Sequence, residues 1–192
     1  MKSIDVRTMT LWFARSCLLS AVVLTGLPKA KADDKPAPPP DGIRRMTAYA
    51  GVFEGDGTLT MGDKTYHLKL RHENVVFADG WGLMTHETVT LSELPTYRSE
   101  NLFGFDLGAG RMHLFTVSNG ADTHDHAGSW VDDTHLNLRY TGLKEGLAFV
   151  EEIPLVLDGP DQYSFQSITT VDGKPDALLK ATMRRRTDLT RR

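Results

Sequence analysis

Tyr66-His67-Leu68-Lys69-Leu70-Arg71 sets three apolar or aromatic side chains against three charged or polar ones in strict alternation. Successive side chains of a β-strand point to opposite faces, so a period of two describes a strand with one face on a core and the other in water. The same pattern recurs further along the chain. Phe103, Phe105 and Leu107 alternate with Gly104 and Asp106, and Leu136, Leu138 and Tyr140 alternate with Asn137 and Arg139. Between such segments lie Met61-Gly62-Asp63, Ala78-Asp79-Gly80, Gly108-Ala109-Gly110, Asn119-Gly120, Lys144-Glu145-Gly146 and Asp172-Gly173-Lys174-Pro175. Glycine supplies positive φ there, and Asp or Asn supplies local hydrogen bonds, which is the chemistry of chain reversal.

This rhythm predicts ten strands, near residues 48–60, 64–77, 81–92, 99–107, 111–119, 124–132, 134–142, 147–158, 162–171 and 176–185. Residues 177–183 carry helical propensity but are read as strand, because a closed meander needs a last strand to pair with its first. The expected fold is all-β, an antiparallel up-and-down β-barrel. Closure removes both sheet edges and leaves an interior that side chains can fill or one small ligand can occupy. An open two-sheet sandwich satisfies the same alternation.

The first strand carries Gly51-Val52-Phe53-Glu54-Gly55-Asp56-Gly57-Thr58, which resembles the G-x-W-x-G-x-G-x signature of calycin-like barrels, with Phe53 in place of the tryptophan. It is most similar to the nitrobindin-like and lipocalin-like barrels and to a related bacterial family of unknown function. Phe105-Asp106 before a turn, Gly128-Ser129-Trp130-Val131-Asp132, and an arginine-rich closing strand after Asp172-Gly173 extend the resemblance over residues 46–186. It implies a calycin-like barrel. The glycines by themselves require only a bend or a close backbone approach. Nitrobindin-like barrels hold haem through a histidine late in the chain, whereas this chain has none after His135. Haem is therefore an alternative cofactor and not the leading one, and the cofactor is left unknown.

Candidate site residues follow from polar groups on apolar faces. Glu87 shares its face with Trp81, Leu83, Val89 and Leu91; Glu151 shares its face with Phe149, Ile153, Leu155 and Leu157. If these faces point inward, two carboxylates enter the barrel, and each must be paired, hydrogen-bonded or protonated. Arg185 and Arg139 are the expected partners. An apolar pocket with a few polar anchors is the usual composition of a small-molecule site, so Trp81, Glu87, Phe105, Trp130, Tyr140 and Glu151 are the candidate ligand-binding residues. A structural ion pair near the rim accounts for the carboxylates equally well. In Asp122-Thr123-His124-Asp125-His126, the two histidines project to one face of a strand, and Asp122 would complete three metal ligands if the strand reached it. The plainer reading of that stretch is a solvated hairpin tip.

Composition supplies the boundaries. Lys2, Arg7 and Arg15, the apolar run 17–27 and Ala30-Lys31-Ala32 together read as a signal peptide over residues 1–32. A proline-rich linker follows at 33–45, then the barrel domain at 46–186 and a flexible tail at 187–192. The apolar run is shorter than the ~20 residues of a membrane span. The chain has 192 residues, a formal charge of −3 and one cysteine, Cys17, which falls in the leader. The leader holds five of the 22 basic and one of the 25 acidic residues, so the expected mature charge is −7. That charge disfavours nucleic acid as a partner. No G-x-S-x-G elbow or H-E-x-x-H helix occurs.

The expected function is thus an exported carrier, periplasmic or extracellular, for a small apolar or amphipathic ligand. Its oligomeric state is open. The alternatives are a haem or metal barrel using His124 and His126, a hydrolase or isomerase using Glu87 or Glu151 as a general base of raised pKa, and a structural module with a filled core.

Overall fold

The computed structural model describes residues 37–91 and 94–187. The expected leader, its cleavage site and the end of the tail lie outside them. Ten strands are present among the described residues: β1 Gly51–Met61, β2 Lys64–Phe77, β3 Gly82–Leu91, β4 Tyr97–Asp106, β5 Arg111–Ser118, β6 Thr123–Trp130, β7 His135–Lys144, β8 Leu147–Leu157, β9 Gln162–Val171 and β10 Lys174–Arg185. Each pairs antiparallel with its neighbours in sequence, and β10 returns to pair with β1, closing the barrel. The open sandwich is thereby excluded.

The period of two becomes the inward face. On β2, Leu68, Leu70, His72 and Asn74 are buried, while Lys69 and Glu73 are exposed. On β7, Leu136 and Leu138 are buried. Residues 177–183 are strand, in register with β1 from Phe53↔Arg185 to Met61↔Ala177. At this seam the backbones approach closely: a Cβ on Gly55 would lie 2.1 Å from the Thr182 carbonyl oxygen. Glycine at 55 is therefore a packing requirement of closure, as the strand-bend reading expects. Phe53 is completely buried, packs on the rings of Tyr49 and Tyr163, and carries the Arg185 guanidinium 4.6 Å from its ring centroid.

One end of the barrel is closed by an element that the sequence reading assigned to the linker. The linker reading of 33–45 is corrected at Asp41, where the helix α1, Asp41–Thr47, begins. Asp41 in its first turn and Arg44 and Arg45 in its last complement the helix ends. Ile43 (0% exposed), Met46 (4%) and the following Tyr49 (6%) sink into the core. The Trp130 indole N–H donates to the Gly42 carbonyl at 3.1 Å, and Arg45 lies over the Trp130 ring while donating to the Asp132 carbonyl and the Asp133 carboxylate. Tyr49 donates its hydroxyl proton to the Gly159 carbonyl. These contacts tie α1 and the residues after it to the turns following β6 and β8. No helix among the described residues is long and apolar enough to cross a membrane.

Candidate functional site

Above this plug the barrel is hollow. A cavity of about 840 Å³ runs from Met46 and Tyr49 at the closed end to Met61, Leu94, Leu143 and Lys144 at the opposite mouth. Inward positions of the strands supply an apolar wall, including Leu68, Leu83, Val89, Leu114, Leu155 and Phe165. The filled-core expectation is corrected by this space. Two polar centres interrupt the apolar lining, each built around one of the two carboxylates singled out by alternation.

The first centre gathers residues from β2, β3, β4, β5 and β9. The Tyr163 hydroxyl lies 2.6 Å from His72 Nδ1, and His72 Nε2 lies 2.9 Å from Glu87 Oε1. Ser99 donates to Glu87 Oε2 at 2.6 Å, Asn101 donates to Ser99 at 2.9 Å, and Thr116 donates to Asn101 at 2.7 Å. Every polar group in this chain has a complementary partner if Tyr163 donates to Nδ1 and Nε2–H donates to the carboxylate. Burial opposes ionisation of Glu87, but the hydrogen bonds from His72, Ser99 and Asn101 prevail and hold its pKa below the ordinary carboxylate value. Burial likewise pushes the Tyr163 phenol well up, so it remains a proton donor.

The second centre gathers β6, β8 and β9. His124 Nδ1 and His126 Nε2 each lie 3.0 Å from the same oxygen, Glu151 Oε2. Ser167 donates to the other oxygen, Oε1, at 2.7 Å. His126 is 1% exposed, and its Nδ1 lies 3.3 Å from the Leu114 carbonyl. His124 is stacked on Tyr140 with ring centroids 4.1 Å apart and an interplanar angle of 14°. A Cβ on Gly142 would lie 2.3 Å from the Tyr140 hydroxyl oxygen, so the missing side chain makes room for the phenol to lie along β7. For Glu151, burial again opposes ionisation, yet the hydrogen bonds from His126 and Ser167 and the His126 charge hold its pKa at about 2.

These placements correct several expectations. The histidine stretch is not a hairpin tip: His124 and His126 stand on β6 and line the cavity; Asp122, which also borders the cavity, precedes the strand at an exposed turn and is absent from the cluster. Arg185 does not meet either interior carboxylate. It pairs with Asp161 at 2.8 Å and donates to the carbonyls of Ala48, Ala50 and Pro160. Arg139 faces outward and lies 3.8 Å from Glu152. Glu87 and Glu151 line the cavity; Trp81, Phe105 and Trp130 do not, and Phe105 and Trp130 pack instead on Gly42 of α1. Tyr140 supports His124 from behind. The raised pKa expected of a general base is reversed at both carboxylates.

Alternation alone did not single out His72, Tyr163, Ser99, Asn101 and Ser167 as polar partners. A signal for His72 is nonetheless present in the sequence, since it continues the inward series Leu68, Leu70 on β2. For haem, the residues do not fit the arrangement that the nitrobindin-like resemblance implies: β8, β9 and β10 contain no histidine.

No protein-family profile and no curated protein sequence matches this chain. Solved structures do resemble it. The S-type phycobiliprotein lyase CPES from Guillardia theta aligns with a TM-score of 0.56 and 10% identity over 77% of this chain and 94% of that one. Rv2717c from M. tuberculosis aligns with a TM-score of 0.59 and 13% identity over 78% and 99%. At these identities the likeness is one of fold, and it agrees with the ten-stranded antiparallel barrel expected from the alternation and its turns.

Proposed function

We propose that this protein is a small-ligand-binding barrel of carrier type, taking one apolar or amphipathic molecule through its single mouth. The observation that carries the reading is the cavity itself: about 840 Å³ of space, closed at one end and lined mainly by apolar side chains. Ligand sites of roughly 300–1,000 Å³ with few polar groups are typical for molecules of that size. The two carboxylate centres supply orientation, while burial of the ligand body supplies affinity. Export is part of the same proposal, on the strength of the basic, apolar and A-x-A segments at residues 1–32. The fold likeness does not bear on which ligand is bound.

The hydrolase or isomerase reading is the weaker one, because a carboxylate held low by hydrogen bonds is a poor proton acceptor near neutral pH. The experiment is native mass spectrometry of gently purified protein, followed by titration of stripped protein with an environment-sensitive apolar dye. The expected results are a co-purifying small molecule and one dye site per chain, with dye affinity lost in Leu59→Trp, which narrows the cavity at a position whose strand partners, Leu179 and Tyr66, belong to neither polar centre. Dye binding that Leu59→Trp leaves unchanged, together with a bare chain in the mass spectrum, would refute the reading. The export component predicts that the mature chain begins near Asp33 after fractionation; an intact amino terminus would remove it.

A further inference from the structure

The second polar centre contains a conflict that the first does not. The Leu114 carbonyl can only accept a hydrogen bond, so His126 Nδ1 must carry the proton that points at it. In the neutral imidazole this leaves a lone pair on Nε2, which faces the lone pairs of Glu151 Oε2 at 3.0 Å. His124 Nδ1 converges on the same oxygen from a second direction, also at 3.0 Å. Two acceptors so close require a cation between them. A proton on Nε2 is one way to supply it; a metal ion held by all three converging atoms is the other.

We propose that His124 Nδ1, His126 Nε2 and Glu151 Oε2 form a mononuclear site for a divalent transition ion of the zinc class, with its fourth coordination position open to the cavity. The three ligand atoms all lie within 4.8 Å of one another. Bond lengths of ~2.0–2.2 Å to nitrogen and carboxylate oxygen put tetrahedral ligands ~3.4 Å apart, so the two 3.0 Å contacts need to open by a few tenths of an ångström and the two nitrogens, within 4.8 Å of each other, to close by no more than ~1.4 Å. Two histidines and a carboxylate suit zinc-class ions better than the all-oxygen sets of magnesium or calcium.

The surroundings match what such a site needs beyond its ligands. Metal-bound imidazole normally donates its other N–H to a carbonyl or carboxylate, which fixes the tautomer, as Leu114 does for His126. Ser167 occupies Glu151 Oε1 and so orients Oε2 toward the histidines. The Tyr140 stack sets the plane of His124. All three ligand residues line the cavity, so the open position would accept a lone-pair donor from water or from whatever occupies the barrel. His72 and Glu87 make an informative contrast: one histidine faces one carboxylate oxygen there, and a hydroxyl satisfies its other nitrogen. The exposed pairs His86 with Glu100 and His113 with Asp125 also lack a third ligand.

The test uses untagged chain, stripped with chelator and freed of small molecules, titrated calorimetrically with ZnCl2 and spectroscopically with CoCl2. One site per chain is expected, with the visible absorption of four-coordinate Co2+. His124→Ala and Glu151→Gln should each abolish it. Ser167→Ala, which removes only the orienting hydrogen bond, should weaken it by about 10–100-fold. His86→Ala is the surface control and should leave binding unchanged; circular dichroism of each variant verifies that the barrel is folded. Absence of saturable binding to the folded wild type overturns the proposal, as does binding that survives both His124→Ala and Glu151→Gln. Because dye binding is read on metal-free protein, either outcome leaves the ligand-binding reading to stand or fall by its own experiment.

Discussion

Replacing Ile43 with alanine separates the docked helix from the spacer that the sequence suggested. In an extended linker the change would be silent, because a solvated side chain contributes little to folding. In the structure Ile43 has no exposed surface and sits between the barrel end and its plug. Ile→Ala deletes three carbon groups, worth about 2.4 kcal/mol at roughly 0.8 kcal/mol each. The void left behind adds to this, and buried Ile→Ala changes generally cost about 2–5 kcal/mol. We expect about 3–4 kcal/mol here, or a fall in Tm of about 6–16 °C at the 2–4 °C per kcal/mol typical of domains this large. Urea unfolding followed in parallel by far-ultraviolet circular dichroism and by Trp130 fluorescence measures it. Arg44→Ala is the control within the same helix, since Arg44 is exposed and its ion pair is with Asp41 of α1 itself; it should cost less than about 0.5 kcal/mol. If Ile43→Ala costs no more than Arg44→Ala, α1 is not a plug and the one-mouthed cavity is wrong.

Three further predictions rest on the barrel wall. Gly55→Ala places a Cβ 2.1 Å from the Thr182 carbonyl oxygen, so the β1–β10 seam must part and stability should drop by more than about 2 kcal/mol in chemical denaturation, whereas an unaltered midpoint would contradict the close approach. Arg185→Met strips three backbone carbonyls and Asp161 of a shared donor and should cost about 2–3 kcal/mol; a loss within experimental error would mean that this network adds nothing. Glu87 titrates below its unfolded value of 4.5, so between those two pKa values the unfolded chain binds more protons. Its contribution to stability is complete above pH ~4.5 and is lost as the pH falls through the folded value. Urea midpoints taken from pH 6 down to pH 3 should decline less steeply in Glu87→Gln than in wild type, and parallel slopes would show that Glu87 is not the group involved.

The strands were legible because a period of two is a local property: Leu68 and Leu70, or Leu136 and Leu138, need only their immediate neighbours to declare a face. Closure was only half legible: ten consecutive strands leave β1 and β10 as the edges to be paired, but the same alternation suits an open sandwich, and the β1–β10 register decides between them. Height along the barrel was not. Phe105 and Trp130 have the alternation of cavity residues, but strand tilt carries them to the closed end, where they meet Gly42. The helix escaped notice because α1 shows just two apolar positions, Ile43 and Met46, directly after a proline run, too few for a 3.6-residue period to register. Alternation also turned Glu87 and Glu151 inward but could not name their partners. His72 meets Glu87 through the register of the β2–β3 hairpin, whereas Glu151 on β8 reaches His124 and His126 on β6 across the intervening β7, a relation that no local pattern reports, and Arg185 is held at the plug.

A vessel stopped at one end admits and discharges through the same opening. Whatever enters past Met61, Leu94 and Leu143 has to retrace its path to leave, so arrival and departure share one barrier and cannot be tuned independently by reshaping that rim. Widening it would quicken loading and leakage together. A molecule longer than the interior is deep would keep a protruding end, and that end would be the first part available to a recipient. On the carrier reading proposed above, delivery becomes a matter of which surface the mouth faces, and among the described residues α1 stops the opposite end.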